Sequence, residues 1–269
     1  MQEKKQRIVV KVGTSTLTHS SGSLDLRSME QLVRILADLK GAGHEVILVT
    51  SGAIAVGTAR LGFSERPREL RFKQAAAAVG QCRMMHLYDK LFSEYNCSMA
   101  QILLTGDDVE DRERSVHLQS TFSALLELGV IPVVNENDSV SSAEIETGQH
   151  KVLGDNDTLS AIVAALCGAD LLVLFSDIDG LYSADPRQHP EATLLHSVTE
   201  LTPEILSMAG GAGTWRGTGG MATKLSAAKI AMDAGCDMVI TNGARMEELY
   251  GIAGGEEIGT RFLAKHGGE

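Results

Sequence analysis

The chain has 269 residues, enough to bury a large core, with ordinary contents of 43% hydrophobic and 22% charged residues. Only 4% of the residues are aromatic and 28 are glycine, which favours aliphatic packing around tight strand–helix turns over an aromatic-rich β-sandwich. The net charge of −11 argues against a broad surface for nucleic acid or anionic membranes, although a local basic loop could still bind phosphate.

The cysteines and the amino terminus predict a cytoplasmic protein. The four cysteines are far apart and form no CxxC pair, so we expect reduced thiols. The eight histidines show no HExxH or other metal-ligand spacing, and we expect no protein metal site. Residues 1–7 are polar and lysine-rich without an apolar segment behind them, and no stretch is long enough to cross a membrane.

Short apolar runs alternate with longer segments of helical periodicity along the chain. Asp25 is a suitable N-cap for the first of these helices. The predicted strands cover residues 8–12, 45–50, 99–104, 130–134, 171–175 and 238–240. The predicted helices cover residues 25–41, a segment after 51–53, and residues 72–95, 113–128, 157–166 and 222–234.

The order of these elements predicts an α/β fold. Strands that are apolar on both faces and separated by helices require a mainly parallel sheet covered on both sides. We therefore expect one domain, a three-layer α/β/α sandwich with a mainly parallel central sheet. Within it we predict an amino-terminal lobe of about residues 1–165 and a carboxyl-terminal lobe of about 166–269.

In such a sheet, ligands bind where strands end and loops lead into helices. The polar or glycine-rich segments at these places are residues 11–15 (KVGTS), 50–53 (TSGA), 135–138 (NEND), 154–157 (GDND), 176–177 (SD) and 217–224 (GTGGMATK). The carboxyl edge of the sheet is therefore the predicted site.

The segment 217–224 has the chemistry of a polyphosphate cradle. Its glycines let backbone N–H groups approach an anion, Thr223 adds a hydroxyl, and Lys224 lies at a helix start whose dipole favours negative charge. It matches neither the Walker A loop nor the GxGxxG fingerprint. The alternative is a flexible surface loop with a solvated lysine.

Lys11 strengthens the phosphate hypothesis. A lysine near the end of an otherwise apolar strand is costly to bury unless it meets an anion. The alternative is a solvated strand face or a side chain that extends to the surface. Two lysines at strand–loop junctions suit phosphoryl transfer, which depends mostly on positioning and charge neutralisation.

The polar groups of the remaining segments could bind a ligand, but each also has a simpler structural explanation. Ser51 at a helix start could bind a carboxylate, or it could be an ordinary N-cap. The acidic and amide-rich segments 135–138 and 154–157 could be turns with Asx caps. Two such segments at one edge are harder to explain as turns alone, because grouped carboxylates repel one another unless cations lie between them.

In this order, KVGTS, TSGAI, NEND, GDND and TGGMATK resemble the motifs of the amino acid kinase family. The resemblance covers nearly the whole chain, from Lys11 to a strand near residue 258. It implies the fold of that family, which resembles carbamate kinase. It also implies ATP-dependent phosphorylation of the γ-carboxylate of L-glutamate, the first step of proline biosynthesis from glutamate.

The resemblance also implies a role for each matched residue. The implied catalytic residues are Lys11 and Lys224, which would bracket the transferring phosphoryl group, and Asp157, which would hold them. The implied glutamate-binding residues are Ser51, Asp138 and Asn156. The implied ATP-binding residues are Lys11, Ser176, Asp177, Thr218, Gly219, Gly220, Met221, Ala222, Thr223 and Lys224. Ser176 stands where we expect threonine, and both residues offer a hydroxyl.

By the same resemblance, ATP is the co-substrate, Mg²⁺ is bound mainly through the ATP phosphates, and proline is a feedback inhibitor. The protein is expected to be a homo-oligomer, a dimer or a tetramer. Many family members carry a carboxyl-terminal PUA domain of RNA-binding type, and we expect this chain, which ends at Glu269, to lack it.

Two other functions compete with this one. A kinase for another small acid, such as acetylglutamate, would share the fold. A non-catalytic nucleotide or oxyanion binder would share it too, but should have lost a lysine or the acidic residue between them. Lys11, Lys224 and Asp157 are all present.

Overall fold

The computed structural model describes residues 5–19, 21–140, 153, 155–208 and 220–264. Within these ranges the chain forms eight strands and ten α-helices. The strands are β1 (Arg7–Lys11), β2 (Glu45–Val49), β3 (Met99–Leu104), β4 (Ile131–Glu136), β5 (Leu171–Ser176), β6 (Ser197–Val198), β7 (Asp237–Asn242) and β8 (Thr260–Phe262). The helices are α1 (Thr14–Leu17), α2 (Leu26–Gly41), α3 (Ala53–Arg60), α4 (Leu70–Glu94), α5 (Gly106–Glu110), α6 (Arg112–Glu127), α7 (Asn156–Cys167), α8 (Pro203–Met208), α9 (Met221–Asp233) and α10 (Glu248–Ala253).

The strands form one sheet in the order β3-β4-β2-β1-β5-β7-β8-β6. Every described pair of neighbours is parallel except β7 with β8. β1 lies at the centre of the sheet, and Ile8, Val9 and Val10 are fully buried, because helices cover both faces. The predicted α/β class with a mainly parallel sheet is confirmed.

Two hydrophobic clusters, one on each face of the sheet, pack the helices against it and give the three layers. One cluster packs residues of α2, α3, α4 and α10 against the sheet and includes Ile8 and Val10. The other packs α6, α7 and α9 against the opposite face and includes Val9. The alternation of side chains along β1 therefore sends each successive residue to a different layer.

Most predicted elements have their observed counterparts within a few residues. Asp25 is the N-cap of α2, and its carboxylate accepts hydrogen bonds from the backbone N–H groups of Arg27 and Ser28. The clearest difference is at β4, which continues through Asn135 and Glu136, so half of the predicted NEND loop is strand. The short elements α8, α10 and β6 were not predicted, because segments of six residues or fewer carry little periodicity.

Strands β1–β4 occupy one half of the sheet and β5–β8 the other. This order separates the strands of residues 1–165 from those of residues 166–269, but the division into two lobes stays a prediction. In the described ranges, none of the helices combines the length and the apolar character needed to cross a membrane.

Candidate active site

Three buried charged side chains meet beside the carboxyl end of β1. The Lys11 ammonium lies 2.6 Å from Oδ1 of Asp157, and the Lys224 ammonium donates a hydrogen bond of 3.0 Å to Oδ2. The exposed fractions are 9% for Lys11, 4% for Asp157 and 8% for Lys224. Both lysines are buried, so the alternatives of a solvated Lys224 side chain and of a Lys11 side chain that extends to the surface are wrong.

The fold explains how residues so distant in sequence meet. Lys11 shares a strand face with Val9, whose cluster contains residues of α7 and α9. Asp157 lies in the first turn of α7, and Lys224 lies in the first turn of α9. Each helix thus directs one side chain to the end of β1.

The charges of this cluster do not cancel. Burial alone would raise the pKa of Asp157, but the ammonium groups of Lys11 and Lys224 outweigh burial and hold the pKa below its ordinary value. Asp157 is therefore an anion at neutral pH, and two ammonium groups share it. The cluster keeps a net positive charge in a place of low dielectric, where a further anion would be bound strongly.

The amino-terminal end of α9 adds neutral donors beside the lysines. The N-cap is Gly220, with a φ of 133° and no side-chain cap. The Thr223 hydroxyl lies 3.2 Å from Oδ2 of Asp157 and 2.9 Å from the carbonyl oxygen of Gly220. Met221 and Ala222 complete this first turn, where backbone N–H groups can receive a phosphate.

Ser51 and Asn156 lie together at the end of β2. The Ser51 hydroxyl donates to the carbonyl oxygen of Val12 at 3.1 Å, and the Asn156 amide donates to the carbonyl oxygen of Thr50 at 3.2 Å. Ser51 is not the N-cap of α3. That position belongs to Gly52, whose φ of 104° suits glycine. The N-cap alternative for Ser51 is therefore wrong.

Asp138 lies one strand further along, in the wall of a cavity of about 370 Å³. Ala53 at the start of α3 also lines this cavity, together with Gln81 and Met85 of α4. The cavity therefore connects the segment that carries Ser51 to the segment that follows β4. In the other acidic segment, residues 154–157, Asp155 is the N-cap of α7, as the alternative of an Asx cap predicts.

Ser176 is the last residue of β5 and Asp177 follows it, on the other side of the lysine cluster. The Ser176 hydroxyl donates to the Asp177 carboxylate at 3.2 Å. Ser176 is buried, and it is paired in register with Asn242 of β7. Thr218 and Gly219, predicted to bind ATP, lie outside the described residues.

Sequence analysis missed a polar network that joins the loops after β5 and β7. The Asp179 carboxylate accepts hydrogen bonds from Asn242 at 2.8 Å and from Arg245 at 3.0 Å. These bonds, chiefly that from Asn242, hold the pKa of Asp179 below its ordinary value. The position of Asp179 two residues after Asp177 was the only available signal.

The solved structures of two kinases are similar in fold. A carbamate kinase from Giardia lamblia bound to AMP-PNP superimposes with a TM-score of 0.68, covering 98% of this chain and 100% of that one, at 14% identity. A UMP kinase from Bacillus anthracis gives a TM-score of 0.62 at 15% identity, covering 97% and 96%. These likenesses confirm the predicted fold.

Comparison by sequence is more specific. The model of the amino acid kinase family matches residues 6–242. A glutamate 5-kinase of Clostridium perfringens is 52% identical over 262 residues, covering 97% of both chains. A glutamate 5-kinase of Carboxydothermus hydrogenoformans is 56% identical over 261 residues, covering 97% of this chain and 68% of that one. The chain therefore belongs to the amino acid kinase family, and within it to the group of the glutamate 5-kinases.

Proposed function

We propose that this enzyme transfers the γ-phosphoryl group of ATP to the γ-carboxylate of L-glutamate, giving L-glutamyl 5-phosphate and ADP. This reaction is the first step of proline biosynthesis from glutamate. The observation that carries the proposal is the buried cluster of Lys11, Asp157 and Lys224 at the carboxyl edge of the sheet. Relatives with 52% and 56% identity that are named glutamate 5-kinases support the substrate.

The chemistry requires charge neutralisation more than proton transfer. An unperturbed glutamate carboxyl has a pKa of about 4.3, so the nucleophile is already ionised at neutral pH and needs no general base. Its oxygen attacks the γ-phosphorus while the bond from phosphorus to the ADP oxygen breaks. Both reactants are anions, and Lys11 and Lys224 offset their repulsion.

We assign Asp157 to hold these two lysines. Each of its oxygens contacts one ammonium, which fixes both ammonium groups at one place before ATP arrives. Positive groups placed in advance need no rearrangement as charge moves during the transfer, and this preorganisation lowers the barrier.

We assign the binding of glutamate to Ser51, Asp138 and Asn156. Ser51 and Asn156 lie at the end of β2, next to β1, where the reacting carboxylate must meet the phosphoryl group. Asp138 lies further out in the cavity, where its carboxylate suits the α-ammonium group.

We assign the binding of ATP to Lys11, Ser176, Asp177 and the segment from Thr218 to Lys224. The described part of that segment presents the open first turn of α9 to the cluster. Mg²⁺ would be held mainly through the ATP phosphates, where it shields their charge. The Asp157 oxygens both contact lysines, so this carboxylate is committed to them, and Mg²⁺ usually takes much of its coordination from phosphates and water.

We further propose a cytoplasmic homo-oligomer, a dimer or a tetramer, that proline inhibits at the glutamate site. All four cysteines lie in the described ranges as free thiols, as suits a reducing compartment. Proline shares with glutamate an α-carboxylate and a positively charged nitrogen, so the cavity beside Asp138 suits both.

The product tests the proposed reaction. Phosphorylation of a carboxylate gives an acyl phosphate, which hydroxylamine converts to a hydroxamate. We expect hydroxamate only when the enzyme, ATP, Mg²⁺ and L-glutamate are all present. Acetylglutamate should give none, because acylation removes the ammonium group that Asp138 binds. ATP consumption without glutamate-dependent hydroxamate would exclude glutamate as the acceptor.

Replacing Asp138 with alanine should raise the KM for glutamate and leave the KM for ATP nearly unchanged. The loss of a hydrogen bond between charged groups is expected to raise the glutamate KM about tenfold to a hundredfold. Steady-state kinetics with each substrate varied in turn would measure both constants. An unchanged glutamate KM with weakened ATP binding would place Asp138 in the wrong half of the site.

A further inference from the structure

Gln81 on α4 carries a hydrogen-bond donor that has no partner in the described part of the chain. The residue is only 8% exposed, and its amide Nε2 is shielded from solvent without an acceptor. Folded proteins rarely keep a buried donor unsatisfied, so such a group calls for an explanation.

The orientation of this amide is fixed by a chain of hydrogen bonds. The backbone N–H of Glu136 donates to Oδ1 of Asn135 at 2.9 Å, so the other end of the Asn135 amide must be the donor. That donor, Nδ2, lies 2.9 Å from Oε1 of Gln81. Gln81 cannot flip its amide without placing two N–H groups face to face. Its own donor must therefore point away from Asn135.

Gln81 also lies in the wall of the cavity that contains Asp138. Its neighbour Gly80 brings α4 against the start of α3, since a Cβ there would lie 1.8 Å from the carbonyl oxygen of Ala53. This close packing fixes the position of Gln81 beside the segment that carries Ser51. Because Gln81 lines this cavity and the described residues supply no acceptor for its Nε2, we take a ligand in the cavity as the missing acceptor.

The order of the strands indicates which end of glutamate reaches Gln81. Asn135 is on β4 and Lys11 is on β1, with β2 between them. Adjacent strands are about 4.8 Å apart, so the two strand ends are separated by roughly 10 Å. If the reacting γ-carboxylate lies near Lys11, as the proposed function requires, the far end of the substrate, with its α-carboxylate and α-ammonium groups, would extend toward β4.

We propose that Gln81 is a substrate-binding residue whose Nε2 donates a hydrogen bond to the α-carboxylate of glutamate. The proposal rests on the proposed function, because it takes glutamate as the ligand of this cavity. Asp138 accepts from the ammonium group and Gln81 donates to the carboxylate. Together they distinguish an α-amino acid from a simple carboxylic acid.

Gln81→Glu tests this role with the least disturbance. The new side chain keeps the oxygen that accepts from Asn135, but it replaces the donor with an oxygen that repels a carboxylate. We expect the glutamate KM to rise by about tenfold to a hundredfold, as for the loss of a hydrogen bond to a charged group. The KM for ATP should stay unchanged.

Gln81→Met provides a second variant without a new charge, and it should raise the glutamate KM in the same way. The matched control is Met84→Leu, which changes a buried apolar side chain on the same helix, outside the residues that line the cavity, and should leave the glutamate KM unchanged. Thermal unfolding of each variant separates binding from stability. A purely structural role for Gln81 would lower Tm in both variants while the glutamate KM stayed at the wild-type value.

A ligand without the α-carboxylate identifies the group that Gln81 contacts. 4-Aminobutyrate keeps the ammonium group and the reacting carboxylate of glutamate but lacks the α-carboxylate. Its Ki as a competitor of glutamate should be the same in wild type and in Gln81→Met. A Ki that rises as much as the glutamate KM would overturn the assignment to the α-carboxylate.

Two outcomes distinguish a failure of this inference from a failure of the proposed function. A wild-type enzyme that forms no glutamate hydroxamate would contradict the proposed function. A wild-type enzyme that forms it, with an unchanged glutamate KM in both Gln81 variants, would contradict only the role of Gln81.

Discussion

Replacing Lys224 with alanine is expected to lower turnover by a factor on the order of 10²–10³ while leaving the protein folded. Lys224 is one of the two ammonium groups that contact Asp157 among the described residues, and its loss removes the net positive charge that these three side chains share. Lys11 and Asp157 would then form a neutral pair, which can remain buried but no longer offsets the charge of the transferring phosphoryl group. Initial rates at saturating ATP and glutamate would measure the loss.

Lys229→Ala is the matched control for this prediction. Lys229 is on the same helix, α9, but it is exposed and pairs with Asp233 at 2.7 Å. Its loss should leave turnover unchanged, and circular dichroism should show both variants folded. Near-normal turnover in a folded Lys224→Ala protein would remove Lys224 from the catalytic site.

Much of the fold was predictable because its signals are local. The runs at residues 8–12 and 171–175 are apolar on both faces, which only a sheet covered on both sides can accommodate. The N-cap Asp25 is also a local signal. Lys11 stood out because it places a charge at the end of an otherwise apolar, buried strand.

The contacts of the site depend on distant parts of the chain, and no local pattern records them. Residue types alone indicated that Lys11 and Lys224 suit phosphate, but only the family resemblance singled out Asp157 between them. Gln81 gave no signal at all, because a glutamine on a helix is usually a solvent-facing residue. Its role appears only when β4 places Asn135 against α4 and fixes the direction of the amide.

Asp157→Asn is expected to destabilise the protein by about 3–5 kcal/mol, because it leaves two buried ammonium groups without their anion. The variant should also lose most of its turnover, since neither lysine would then be held at the end of β1. Urea unfolding at neutral pH would measure the free energy of unfolding. The matched control is Asp233→Asn, which breaks an exposed pair on α9 and should cost no more than about 1 kcal/mol.

The pH dependence of the lost stability shows whether the loss comes from the charge of Asp157. In the unfolded chain Asp157 has a pKa of about 3.9, and in the folded protein the two lysines hold it lower. The charged carboxylate therefore contributes its full stability above about pH 5, and this contribution is lost as the pH falls through the folded pKa. Wild type and Asp157→Asn should differ by a constant free energy between pH 6 and 8, within about 0.5 kcal/mol, and the difference should shrink below about pH 4. A difference that stayed constant into acid would mean that the substitution acts through packing and not through the charge that Lys11 and Lys224 share.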